Sequence, residues 1–168
     1  MHSALSASNH ALLASPQRSK ITSMRFFTYQ KAVDLLPQVT SLLKSAIEAK
    51  AARKKSEADL SAYKRRLVMA GGAFPNTNRL AAYADQAKTN YEAMKRGIDS
   101  IADLGVQLLD LDQGLVDFPA MYQGQTVYLC FQLGEDSISH WHPGDEGFSS
   151  RRPINQEFVD QLDAGFIL

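Results

Sequence analysis

The sequence predicts an α+β fold: a long antiparallel helical hairpin, then a small antiparallel β-sheet and a short C-terminal helix. Three observations carry this expectation. Between Pro37 and Ala70 nearly every residue favours helix, with Ala, Lys, Glu, Leu and Arg dominant and neither Gly nor a further Pro. In the stretch that follows, apolar residues recur at intervals of three and four, the spacing of a helix-packing seam. After Gly105 the period becomes alternating or continuously apolar, with the Gly and Pro punctuation of strands and tight turns.

Taken in chain order, residues 1–23 are rich in Ser and Ala, poor in acids, and have no basic start before their short apolar run, so they do not fit a secretory signal. They are expected to be a disordered leader, or the product of an upstream start codon with Met24 as the working start. Residues 24–168 then form a single domain, with the hairpin in 24–104 and the β region and terminal helix in 105–168. Thr28 suits the N-cap of a helix over 29–36, and Pro37 fits the first turn of a second segment or a kink between the two. Leu36, Val39, Leu43 and Ile47 make a seam that fades through residues 50–56 and resumes at Leu60, Tyr63 and Leu67, which predicts an exposed middle. Gly71 and Gly72 stop the helix, and Phe74, Pro75, Asn76 and Thr77 form a turn that supplies caps for the next.

The second helix carries Leu80, Tyr83, Ala87, Tyr91, Met94, Ile98 and Ile101 along one face. Two helices of about 30 residues reach roughly 45 Å at 1.5 Å per residue, more than a compact small domain requires. Part of the hairpin should therefore protrude or pair with another subunit. Strands are expected at 106–111, 115–122, 126–133 and 137–142, with hairpin turns at Gln123-Gly124 and at 134–136. Asn155 fits as the cap of a last helix bearing Phe158, Val159 and Leu162.

The chain has 168 residues, and its 18 Lys plus Arg balance its 18 Asp plus Glu, so it has no overall bias toward polyanions. No apolar run is long enough for a membrane span. Membrane and nucleic acid are not expected partners. Cys130 is the sole cysteine, which excludes an intrachain disulfide and a thiolate-rich zinc cluster and suits a cytoplasmic location. Phosphate loops, dinucleotide fingerprints and nucleophile elbows are absent.

Chemistry-bearing residues concentrate between Gly114 and Ile154. His140 and His142 flank Trp141, and alternate strand positions share a face about 7 Å apart, close enough for two imidazoles to meet one ion. A tight turn at 134–137 would pair Leu133 with Ile138, Phe131 with His140 and Leu129 with His142, so both histidines would look onto an apolar face. Glu135, Asp117 and Asp145 are the carboxylates that could complete a site for a divalent transition metal. The plainer alternative is one histidine hydrogen-bonded in the core and one at the surface. Asp117 sits between apolar neighbours and needs a partner, for which Arg151 or Arg152 is expected; such a bridge would pin the C-terminal loop. Cys130 lacks a neighbouring cation and is expected to be packing only. The basic clusters Arg53-Lys54-Lys55 and Lys64-Arg65-Arg66 are interspersed with acids and read as a solvated helix face.

The succession FFTYQKAVDLLP, DLDQGLVDFPA, LCFQLGE, WHPGDEGF and RRPI, from Phe26 to Ile154, resembles a small bacterial family known only as a domain of unknown function. The resemblance implies a cytosolic protein with an N-terminal helical hairpin and a small C-terminal β region, and it brings no activity, substrate or cofactor. The leading expectation is a protein that binds a divalent metal or a small anionic ligand beside the sheet. His142 and Glu135 would be ligands, with Asp117, Asp145 or His140 completing the site and Arg151 and Trp141 behind them. Any catalysis would default to metal-assisted hydrolysis, with Glu135 or Asp117 as base. The alternative is a non-enzymatic interaction module, such as a homodimer formed through the hairpin.

Overall fold

The structure, a computed structural model, describes residues 25–71 and 76–164. The expectations for residues 1–24 and for Gly72, Phe74 and Pro75 lie outside the described residues. Helix α1 spans Tyr29–Met69 and helix α2 spans Thr77–Asp103; they pack along each other as an antiparallel hairpin. A five-stranded antiparallel meander follows, in the order β1 (Gln107–Asp110), β2 (Leu115–Tyr122), β3 (Gln125–Gln132), β4 (His140–Pro143) and β5 (Arg152–Pro153). Helix α3, Gln156–Ala164, closes the domain. The α+β expectation is met, with one additional short strand at the C-terminal edge.

Each helix starts where its cap residue dictates. Thr28 Oγ1 accepts from Lys31 N at 3.2 Å, Asn76 Oδ1 from Arg79 N at 3.1 Å and Asn155 Oδ1 from Phe158 N at 2.8 Å. Pro37 neither ends α1 nor divides it: the helix runs through it as one piece of 41 residues. Leu36 and Val39 are buried on either side of the proline and hold the helix against the core. Val33, whose carbonyl loses its helical donor at Pro37, borders an open groove where water can serve it.

The hairpin seam also differs from the expected one in its middle. Buried Ala46 and Ser56 and half-buried Ala49, Arg53, Leu60, Tyr63 and Leu67 follow one another on α1 in a continuous alternation of three and four. Opposite lie Leu80, Tyr83, Ala87, Asn90, Met94, Gly97 and Ile101. The seam does not fade; it passes through small and polar residues. Ser56 turns its hydroxyl onto the Ala52 carbonyl, and the Arg53 guanidinium lies 4.9 Å from the centre of the Tyr91 ring. Tyr91 itself sits outside the seam and is exposed. At Gly97 an added Cβ would stand 3.0 Å from Ala46 Cβ, so these two small residues permit the close helix approach.

Only the proximal half of the hairpin contributes to the main core. Ala32, Leu36, Val39 and Leu43 of α1 and Ile101 of α2 meet Val116, Phe118 and Ala120 of β2 and Val127, Leu129 and Phe131 of β3. Phe158 and Leu162 of α3 cover the same sheet face, where Phe158 stacks on Trp141 with ring centres 4.5 Å apart. Beyond the end of β1, Phe27 N donates to Pro119 O at 2.8 Å, and the Phe27 ring meets Phe118 edge-on at 5.6 Å. β2 is buried on both faces for most of its length, so its side chains facing away from the helices, Asp117 among them, are inside the protein as well.

Register on that second face differs from expectation by one residue. Cys130 pairs with His140 and Tyr128 with His142. The connection from β3 to β4 is not a tight turn but the longer segment 133–139, in which Leu133 bridges to Glu135, Gly134 has φ 108 and Ile138 enters the core. Because side chains alternate, the shift turns both histidines away from the apolar face and onto the face of Asp117 and Cys130.

Gly114 joins β1 to β2 at φ 63, and a Cβ there would lie 2.4 Å from Leu133 Cβ. Gly124, at φ 76, has open space around it. Gly114→Ala is therefore expected to cost about 2–4 kcal/mol in urea unfolding, the sum of left-handed strain and overpacking, against about 1–2 kcal/mol for Gly124→Ala. Equal losses at the two sites would show that Leu133 does not confine this turn.

Candidate metal centre

Three neighbouring strands build the site. Asp117 of β2 lies directly opposite Cys130 of β3, and β4 brings His142 alongside Tyr128, diagonal to Cys130. Directly opposite residues on one face have Cβ atoms about 5 Å apart and diagonal ones about 7–8 Å, a gap that the long imidazole side chain of His142 can span, so the three side chains converge. One ligating atom each from Asp117, Cys130 and His142 falls within 4.8 Å of the others. All three residues are buried: 2 % of Asp117, 0 % of Cys130 and 4 % of His142 is exposed.

Hydrogen bonding sets the state of the imidazole. His142 Nδ1 lies 2.7 Å from Pro143 O, and a carbonyl can only accept, so Nδ1 carries the proton. Nε2 then presents a lone pair toward Asp117 Oδ2, 3.1 Å away. Two acceptors face each other and need a cation between them, either a shared proton or a metal ion. The Tyr128 ring, 5.3 Å from the imidazole centre, supports the histidine laterally. Asp117 Oδ1 is buried with no hydrogen-bond partner. Such an orphaned carboxylate oxygen is costly in a protein interior.

The ionisation of the group follows from its burial. Desolvation raises the Asp117 pKa above its ordinary value, and the charge and hydrogen bond of His142, with a further contribution from the adjacent Cys130 thiol, oppose that rise only in part. Burial pushes the Cys130 thiol far up, and the neighbouring Asp117 adds to the effect. Without a metal the thiol keeps its proton, and Sγ lies 3.6 Å from Tyr128 O. The trio is therefore not a cysteine nucleophile with its base: the Nε2 lone pair is aimed at Asp117, and the lowering pull of Arg151 on the thiol is outweighed by burial and by Asp117.

The sequence-predicted residues separate into two groups. Asp117 and His142 come together as foreseen, but Cys130, assigned to packing alone, is the third member. Asp117 does not bridge to an arginine; its partner is His142. Arg151 instead pairs with Glu135 at 2.9 Å and lies over the Phe148 ring at 4.2 Å, while Arg152 pairs with Glu146. Glu135 also accepts from Gln132 N at 2.8 Å, so its carboxylate is occupied in fastening the 133–139 segment to the C-terminal loop. The loop is pinned as expected, by a different pair.

His140 shares the face with Cys130, but its Nδ1 meets Ser139 Oγ at 2.9 Å and its ring is not among the converging ligands. Asp145 is exposed on the loop after β4. Trp141 cannot stand behind His142, because adjacent strand residues face opposite ways: it packs with Tyr122 and Phe158 on the core side. The signal for Cys130 was present in its alternation with Asp117 and His142, but it depended on a register that the sequence alone did not supply.

None of the described helices is long and apolar enough to cross a membrane. No curated protein and no solved structure matches the chain. A family profile matches residues 25–154, which contain the whole hairpin, the five strands and every residue of the buried trio. The chain belongs to DUF2203, a family of uncharacterized conserved proteins.

Proposed function

We propose that this protein binds one divalent transition metal ion, of the zinc class, through Asp117, Cys130 and His142. The observation that carries the reading is the lone pair of His142 Nε2 facing the Asp117 carboxylate, whose second oxygen has no partner, beside the Cys130 thiol. A backbone carbonyl that holds the far nitrogen of a histidine, as Pro143 O does here, is the usual outer support of a metal-ligating imidazole. The donor set of thiolate, imidazole and carboxylate suits zinc or another borderline-soft ion and disfavours magnesium and calcium. A metal would supply the missing partner of the carboxylate and draw the proton off the thiol.

A small anion fits the site less well. Arg151, the cation nearest to hand, is already neutralised by Glu135. Because all three donors are buried, the ion's role in this reading is to hold the strands together rather than to activate water for a substrate. Neither Glu135, held by Arg151 and Gln132, nor Asp117, a ligand here, is then free to act as a general base.

Untagged protein is expected to retain close to one equivalent of metal by elemental analysis and to lose it in His142→Ala and Cys130→Ser. Cobalt(II) reconstitution should give a thiolate-to-metal charge-transfer band that Cys130→Ser abolishes. Metal-free protein that takes up no cobalt would sink the proposal. So would a cobalt spectrum without the thiolate band.

Stability should follow the same chemistry. Because the folded pKa of Asp117 is raised, the folded metal-free chain holds this proton more tightly than the unfolded chain does. The resulting stabilisation is complete below the ordinary aspartate value of 3.8 and disappears as pH rises through the elevated one. Asp117→Asn cannot ionise, so without metal its stability should gain on that of the unaltered chain across this window. At a metal concentration about 100 times Kd the order reverses, with the unaltered chain gaining about 2.7 kcal/mol and the variant nothing. Parallel pH profiles for the two chains would contradict the assigned state of Asp117.

A further inference from the structure

An ion held by Asp117, Cys130 and His142 alone would have one coordination position to spare, because structural zinc sites are almost always four-coordinate. Register points to His140 for that position. Asp117, Cys130 and His140 stand directly opposite one another on β2, β3 and β4, a straight row across the sheet, whereas His142 reaches the row from the diagonal. Directly opposite residues have Cβ atoms about 5 Å apart, so His140 is rooted as close to Cys130 as Asp117 is. Alternation also puts it on the face of His142, about 7 Å away along β4.

The two imidazoles are engaged alike. His142 Nδ1 lies 2.7 Å from Pro143 O and His140 Nδ1 lies 2.9 Å from Ser139 Oγ, so Nε2 is the atom left for a metal in each. His140 Nε2 has no hydrogen-bond partner among the described residues. Glu135 is the rival donor, near enough to Cys130 to help the thiol keep its proton. Both of its oxygens are taken, Oε1 by Arg151 at 2.9 Å and Oε2 by Gln132 N at 2.8 Å. Withdrawing it would strand the Arg151 charge and loosen the 133–139 segment. His140 is half-buried, and its one contact is with an exposed serine hydroxyl that water can replace.

We propose that His140 is the fourth ligand of the metal, its ring turning about the Cα–Cβ bond from beside the trio onto the ion. The inference rests on metal binding by Asp117, Cys130 and His142. Without an ion the His140 ring stands outside that group, since the trio by itself offers nothing for its free nitrogen to bind. With the ion present, the orphaned Asp117 carboxylate and the free His140 Nε2 both gain a partner on the same face. Four protein donors close the site: no position remains for water or a substrate, and β4 is tied to β2 and β3 through two of its residues.

X-ray absorption of the zinc-loaded full-length chain counts the imidazoles directly and depends on no variant's folding. Two should be seen in the unaltered chain and one in His140→Ala. His140→Ala should also weaken cobalt binding by about 100-fold or more, the upper end of what losing an outer contact does, and Ser139→Ala, which removes only the outer contact, by about tenfold. The thiolate band should survive in both. Millimolar imidazole should enter the vacated position of His140→Ala and restore the cobalt spectrum of the unaltered chain, which itself should not respond to imidazole. A single imidazole in the unaltered chain overturns the proposal, as does unchanged cobalt affinity in His140→Ala; in either case a persistent thiolate band leaves the three-residue reading standing. Loss of affinity in Glu135→Gln but not in His140→Ala would give the fourth position to Glu135. A chain that takes up neither zinc nor cobalt removes both readings together.

Discussion

The pairing of β4 with β3 is the constraint on which the rest of this structure depends. With Tyr128 opposite His142 and Leu129 opposite Trp141, each side chain of β4 falls on the face whose chemistry suits it. Trp141 enters the aromatic cluster with Tyr122 and Phe158, and His142 meets Asp117 and Cys130. A slip of one residue would put the imidazole among Phe118, Leu129 and Phe158 and turn the indole toward a carboxylate, with polar groups unpaired on both sides. Apolar packing on one face therefore holds a polar arrangement on the other. The trio does not need to stabilise the sheet by itself, and it can remain poised around an ion because Trp141, one residue away, is anchored so firmly.

The same constraint explains the length of the segment between β3 and β4. Ile138 must reach the core beneath α1, where the Tyr29 hydroxyl donates to its carbonyl at 3.0 Å. A two-residue turn leaves no room for that excursion. The chain instead turns at Gly134, bridges Leu133 to Glu135, and starts β4 only at His140. Glu135 is then left pointing back at Gln132 N and across to Arg151, which ties the C-terminal loop to the strand pair. What resembled a ligand in a list of acids is a fastener in space.

Periodicity carried the elements and fell short at the pairings. Both helices, their cap residues and the bounds of β2 were legible because a helix repeats every 3.6 residues and a strand every two, whatever lies opposite. Alternation also placed His140 and His142 on one face, and that holds. It could not say which face, because parity across a connection depends on how many residues the connection uses, and Ile138 decides that through a contact with a distant helix. On the expected register Cys130 lies away from the histidines, so nothing offset the absence of a neighbouring cation that marked it as packing alone, and nothing set His142 against the arginines as a partner for Asp117. Pro37 was misread for a related reason. Its local preference for ending a helix is outweighed by Leu36 and Val39, which are buried in a core formed by residues far along the chain.

The two ends of the molecule face opposite physical problems, and α1 carries both. Near its start the helix is one layer of a thick core, and burial is deep enough to raise the pKa of a carboxyl and of a thiol on the far side of the sheet. Beyond Lys50 it runs beside α2, along a seam that includes Ser56, Arg53 and Asn90 as well as apolar residues. A seam of that composition buries little apolar surface per turn, so the arm owes its order partly to its ends, the Lys50–Asp112 ion pair at the base and the Tyr63 contacts at the tip. From Leu36 to Val68 the helix spans about 48 Å at its standard rise. Events at the tip and at the buried trio are thus separated by several Debye lengths under physiological salt, so screened electrostatics cannot couple them. Any coupling would have to pass through α1 as a rigid rod, and the close contact of Gly97 with Ala46, where the arm leaves the core, is the point at which bending of the arm would first disturb the helices above the sheet.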